Sequence, residues 1–208
     1  MLFRSGTGIL YQARAAHRRI DEARTQLAPN AGSPPQSEGW PQSPTQQATL
    51  LVSVYDIYEQ GLGHLEAAFA FHNQARLALD LHRLEQRHPG SSSLPAQGWL
   101  GEAQHKAARA VELESDLVPA LVTLGQILVL QAASADQASR DAQLLEADRA
   151  LERAADAAGA NPPAELLLYR AQFHWLSGQP AIGDSYARQA HNRGLPQSVI
   201  DQARSEVR

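Results

Sequence analysis

The sequence predicts an all-α chain, organised as a helical-hairpin repeat array of about nine helices. Three observations predict it. Alanine fills 36 of the 208 positions, whereas Val, Ile and Thr together supply 19 and the aromatic residues 12, so the material for a sheet core is scarce. Apolar residues recur at steps of three and four, the spacing that stacks side chains along one face of a helix. Small residues also recur at fixed steps along every second helix, where they allow helix backbones to approach closely. With 43% hydrophobic and 19% charged positions, the chain can bury about 70% of its unfolded surface, which excludes general disorder.

Taken in order, residues 8–28 put Ile9, Ala13, Ala16, Ile20, Ala23 and Leu27 on one face, and Pro29 stops this N-terminal helix (1–28). The stretch 29–47 is rich in proline and glycine and carries Trp40; it cannot sustain helical hydrogen bonds and reads as an exposed linker. The repeat domain proper spans 48–208. Its leading helix runs from about 46 to 60, burying Leu50, Val54, Ile57 and Tyr58 before Gly61-Leu62-Gly63 breaks it. The next runs from about 64 to 87 on Leu65, Ala68, Phe69, His72, Ala75, Leu79 and Leu84, and stops at His88-Pro89-Gly90 and three serines. A helix over 95–113 presents Trp99, Ala103, Ala107, Ala110 and Val111. Residues 118–133 are apolar on nearly every side, as expected of a central element enclosed by neighbours.

A polar stretch, 134–139, leads to a helix carrying Leu144, Ala147, Leu151, Ala154 and Ala158, ended by Gly159. Asn161-Pro162 reads as the cap and first residue of a helix over about 163–176 with Leu168, Ala171 and Trp175. Ser177-Gly178-Gln179 turns the chain into a helix with Ile182, Tyr186, Ala187 and Ala190 that Gly194 ends. Pro196 opens a short last helix whose only apolar stripe is Val199, Ile200, Ala203 and Val207, the pattern of a terminal cap.

Aligning the helices in pairs brings out a repeat. First helices carry Leu65, Ala68 and His72, then Leu121, Leu124 and Leu128, then Leu168, Ala171 and Trp175, at offsets 0, 3 and 7. Second helices carry Ala103, Ala107 and Ala110, then Ala150, Ala154 and Ala157, then Gly183, Ala187 and Ala190, at offsets 0, 4 and 7. This pattern resembles the tetratricopeptide repeat. The best match begins at Leu121, with Leu124-Gly125 and Leu128, continues through the 150–157 alanines and closes on Asn161-Pro162; the last pair fits through to Pro196. The resemblance covers about residues 64–196. Ala157 to Ala190 is close to the family period, whereas the longer spacing from Ala110 to Ala157 implies about thirteen residues inserted between the helices over 118–133 and 144–158.

The chemistry read from the residues is thin. The net charge of −4, with Lys106 the single lysine, argues against a nucleic-acid surface, and no apolar run is long enough for membrane insertion. Without cysteine there is no disulfide framework or thiol nucleophile; a cytoplasmic location is expected, with the periplasm left open. His17-Arg18-Arg19-Ile20-Asp21 lacks the partners of a kinase catalytic loop, Gly6-Thr7-Gly8 lacks those of a dinucleotide site, and the histidines form no metal-binding spacing. No catalytic residue, metal or cofactor is expected. The resemblance instead implies a non-enzymatic module that holds a protein or peptide partner in a concave groove. Its groove positions map onto Glu66 and Asn73, Val122 and Gln126, and Tyr169, Arg170 and Phe173. The lysine-containing clamp of the chaperone-binding members is absent, since Lys106 stands on a second helix. The irregular spacing also resembles regulatory repeats that follow catalytic domains in bacterial signalling proteins, including some Ser/Thr kinases.

Overall fold

The computed structural model describes residues 41, 43–61 and 67–207, together with the isolated positions 15 and 18. All but two positions of the expected helix over 8–28, most of the 29–47 linker, the glycine break at 62–63 and Glu66 lie outside the described residues. Among those described there are eight helices and no strand: α1 Pro44–Gly61, α2 Ala67–Arg87, α3 Ala96–Leu113, α4 Val118–Ser134, α5 Gln137–Ala158, α6 Ala164–Leu176, α7 Pro180–Asn192 and α8 Gln197–Ser205. The chain divides into two compact units, Met1–Lys106 and Ala107–Arg208, with the division falling inside α3.

In the first unit, α1 starts two residues earlier than the spacing predicts. The reason is a cap: the Ser43 hydroxyl accepts the Gln46 amide at 3.2 Å, and Pro44 stands in the first turn, where its missing N–H costs nothing. Its buried stripe is Ala48, Leu51, Val54, Tyr55 and Tyr58. Leu50 and Ile57, expected inside, are only half-buried, so the helix is rotated by about one position from the predicted face. Helix α2 is buried around most of its circumference and pairs with α1. Phe69, assigned above to the apolar face, is 40% exposed, and the buried positions include polar groups that the fold must satisfy. Each of three finds a partner. Asn73 donates to the Tyr58 phenol oxygen at 3.0 Å, His82 Nδ1 meets the Ala96 carbonyl at 2.7 Å, and Gln74 donates to Glu59 at 2.6 Å.

The connection from α2 to α3 is organised by Glu85. Its carboxylate accepts the Gly90 amide, the Ser92 amide at 3.0 Å and the Ser91 and Ser92 hydroxyls, while the Ser92 oxygen accepts the Trp99 indole N–H at 2.8 Å. The Gly90 amide, followed by the serine donors, holds the carboxyl below its ordinary range. Gly90 itself sits at φ 84°, a left-handed conformation that glycine takes without strain.

In the second unit the helices pack in adjacent pairs, α4 with α5 and α6 with α7; α6 also lies against α4 and α5, and α8 against α6 and α7. Helix α4 is buried along most of its length, as its all-round apolar sequence requires. The polar stretch 134–139 is not a loop. Only Ala135 and Asp136 lie between the helices, because Asp136 caps α5 by accepting the Ser139 amide at 2.9 Å and Gln137 bonds Asp141 one turn on. The extra residues between the two elements therefore lengthen α5 to 22 residues instead of forming an insertion loop. Helix α6 begins at Ala164, not at Pro162. Asn161, read as its cap, instead accepts from Arg193 Nη1, which also donates to the Pro162 carbonyl at 2.7 Å.

Each pair closes on one glycine. A Cβ on Gly125 of α4 would stand 2.5 Å from a Leu151 methyl of α5, and a Cβ on Gly183 of α7 would stand 2.4 Å from the Trp175 ring of α6 and 3.0 Å from the Ala171 carbonyl. Around these contacts the expected small-residue stripes are buried, Ala150 and Ala154 on α5 and Gly183, Ala187 and Ala190 on α7. Ala157 is the exception: it is exposed in the last turn of α5, beyond the end of the buried stripe.

Gly125→Ala and Gly183→Ala should separate in thermal unfolding. At Gly125 the new Cβ would stand 2.7 Å from Cγ of the fully buried Leu151, but it meets a side chain alone and alanine gains in helix propensity, so G125A should lose less, about 0.5–1 kcal/mol. G183A meets a ring and a backbone carbonyl and should lose about 1–3 kcal/mol, a fall of about 2–4 °C per kcal/mol. Equal melting of the two variants would contradict this account of the crossing.

Candidate functional site

The groove positions read from the repeat separate into two groups. Asn73, Val122 and Gln126 are buried, and Asn73 is already engaged by Tyr58, so their side chains leave almost no surface for a ligand. Gln126 keeps its Nε2 without a partner among the described residues. These three are packing positions. Tyr169, Arg170 and Phe173 are half-buried on α6. Phe173 packs with Leu128 and Val129 of α4, Tyr169 against the core of Leu167, Ala171 and Ala203, and the Arg170 guanidinium lies 5.0 Å from the Tyr186 ring centroid of α7. His174, one turn beyond Arg170, stacks parallel on the same ring at 5.3 Å and bonds Gln179. The structure thus brings Arg170, His174 and Tyr186 into one polar-aromatic ridge that still meets water.

The single lysine marks a second cluster, inside the first unit. Lys106 Nζ lies 2.8 Å from Glu59 and 3.7 Å from Glu102, flanked by the Tyr55 and Phe71 rings at 5.6 and 5.4 Å. Tyr55 donates to Glu102, and burial, reinforced by that carboxylate, pushes its phenol far up, so it stays a donor at any working pH. The hydrogen bond from Lys106, then that from Gln74, holds Glu59 below the ordinary carboxylate range against the opposing effect of burial. The lysine nitrogen is surrounded by carboxylates and rings and its side chain is 8% exposed, so the cluster fastens α1, α2 and α3 and offers no nucleophile to solvent.

The third feature is a cleft of about 490 Å³ lined by α7 and α8, with Trp175 of α6 also in its lining. Two helix faces of equivalent spacing form it, Asp184, Ala187, Arg188 and His191 on α7 and Gln197, Ile200, Asp201 and Arg204 on α8. Ala187 and Ile200 make the floor. Beside Trp175, Asp184 accepts the indole N–H at 2.9 Å and the Arg204 guanidinium at 3.1 Å, and that guanidinium lies 4.9 Å from the Trp175 ring centroid. Along the walls His191 Nδ1 donates to the Leu195 carbonyl at 2.9 Å, which leaves Nε2 as the free ring nitrogen, and Gln197 donates to Asp201 at 2.9 Å. Arg188 is exposed and makes no ion pair among the described residues. Sequence reasoning assigned Ile200, Ala187 and Trp175 to the core and passed over the charged residues beside them. The signal was present: charged residues flank the buried stripe on both helices, Asp184 and Arg188 four apart on α7 and Asp201 and Arg204 three apart on α8.

Among the described residues no three His, Asp or Glu side chains group to hold a metal ion, and no helix is long and apolar enough to cross a membrane. No known protein family, curated protein or solved structure matches the chain.

Replacing Lys106 by alanine should cost about 1–2 kcal/mol, less than for a fully buried pair because Glu59 is 52% exposed, and Lys106→Met should cost less by keeping the contact with both rings. The Glu59 contribution is complete above its ordinary value of 4.5 and is lost as the pH falls through its lowered folded-state value. Urea unfolding at descending pH should show that loss in the parent and a flatter profile in K106M; matching profiles would refute the assignment.

Proposed function

We propose that this chain is a non-enzymatic interaction module that binds a peptide or protein segment on a tetratricopeptide-like array of helical pairs. The observation that carries the reading is the cleft between α7 and α8: apolar Ala187 and Ile200 beside polar groups, of which Arg188 and Asn192 have no partner among the described residues, in the size range of ligand sites. Three features support it. The two pairs of the second unit lock through the same device, a glycine on one helix beneath a bulky side chain of its partner. Helix α8 buries Ile200, Ala203 and Val207 nearby and keeps Ser198, Asp201, Gln202 and Ser205 exposed, as a capping helix of a repeat array does. The ridge of Arg170, His174 and Tyr186 adds a second polar-aromatic surface of the kind that protein partners favour.

Panning the full chain against a random peptide library tests the proposal. Enriched sequences should bind one to one in calorimetry, with dissociation constants on the order of 10 µM. Failure to enrich any sequence, with the protein folded throughout, would refute it.

A further inference from the structure

We infer that the α7–α8 cleft selects a peptide segment that carries an acidic and a basic side chain around an apolar one, with Arg188 holding the carboxylate and Asp201 the cation. This inference rests on the peptide-binding reading above and names the chemistry of its ligand.

The charges of the cleft are not equivalent. Asp184 and Arg204 neutralise one another, and both are further fixed by Trp175, one through the indole N–H and the other over the ring face. They have little left to offer. Arg188 and Asp201 stand on opposite walls, one on α7 and the other on α8, and no ion pair joins them. Arg188 has no carboxylate partner among the described residues, and Asp201 meets only the neutral amide of Gln197. Two opposite charges facing one cleft without reaching each other leave room for a ligand that reaches both. Because the four charges sum to zero, a ligand of one sign gains at one wall and is repelled at the other, whereas a segment with both signs is favoured at each. Between the walls, Ala187 and Ile200 present an apolar floor for the side chain between the two charges. Asn192, exposed in the lining and without a hydrogen bond among the described residues, adds a carboxamide that can pair with a main-chain amide.

The test uses the full chain and three terminally blocked tripeptides, glutamate-leucine-lysine, glutamine-leucine-lysine and glutamate-leucine-glutamine, followed in proton–nitrogen spectra. The mixed-charge peptide should shift the Trp175 indole N–H and the amides of α7 and α8, and should bind about three- to tenfold more tightly than either half-neutral peptide. Arg188→Gln should abolish the preference for glutamate over glutamine and keep that for lysine; Asp201→Asn should do the reverse; Arg188→Lys should keep both. Both positions are exposed, so the variants should melt with the parent. Absence of shifts at α7 and α8 with the mixed-charge peptide, or preferences that survive both substitutions, would overturn the inference. Peptides from the library that bind R188Q and D201N as they bind the parent would overturn it while leaving the wider peptide-binding reading intact; no peptide binding at all would sink both.

Discussion

The second unit depends on one steric constraint, the close approach of the facing helix at Gly125 and Gly183. At each, the space a Cβ would occupy is filled by a side chain of the facing helix, Leu151 in one pair and Trp175 in the other. Dispersion is short-ranged, so a crossing this close places more atoms in contact than one held apart by larger residues. The buried alanines flanking each glycine extend the contact along the helix, and the larger apolar residues around them form the cores that receive α8. Trp175 has a double part: it fills the space over Gly183 and, through its indole N–H, sets the Asp184 carboxylate that holds Arg204 of the last helix.

Helices this poor in large apolar residues leave polar groups inside, and most of those serve as fasteners. Glu85 gathers the loop after α2, Gln74 and Lys106 share Glu59, and Gln172, fully buried on α6, donates to the Ala203 carbonyl of α8 at 2.8 Å. Where such groups are consumed internally they stabilise and specify the packing. The α7–α8 cleft differs because some of its wall residues are not consumed. Helix α8 is held at Arg204, Ile200 and Ala203, while Arg188, Asn192 and Asp201 still face water. That contrast directs the functional reading to this cleft and away from the Lys106 cluster, which is the more densely charged of the two.

Much of the architecture was legible in the residues. The helix stops at His88-Pro89-Gly90 and Gly159, the all-round burial of α4 and the capping stripe of α8 all follow from local pattern. The errors have local causes too. Asp136 captured the polar stretch 134–139 as a helix start, Ser43 captured the start of α1, and Arg193 took the Asn161 side chain that the sequence offers as a cap. The site was less legible. Mapping groove positions by offset returned Asn73, Val122 and Gln126, which the packing buries, because a repeat offset specifies a helix face but not which neighbour covers that face.

The sequence by itself determined the class, all helix, since its alanine-rich three- and four-residue periodicity has no strand counterpart, and it determined most of the breaks, since proline and left-handed glycine act within one turn of the backbone. Only the tertiary structure decided which polar side chains are spent and which remain. Whether Asp184 or Asp201, on successive helices of the chain, meets an arginine depends on how closely one helix lies on another, and that distance is set by side chains remote in sequence.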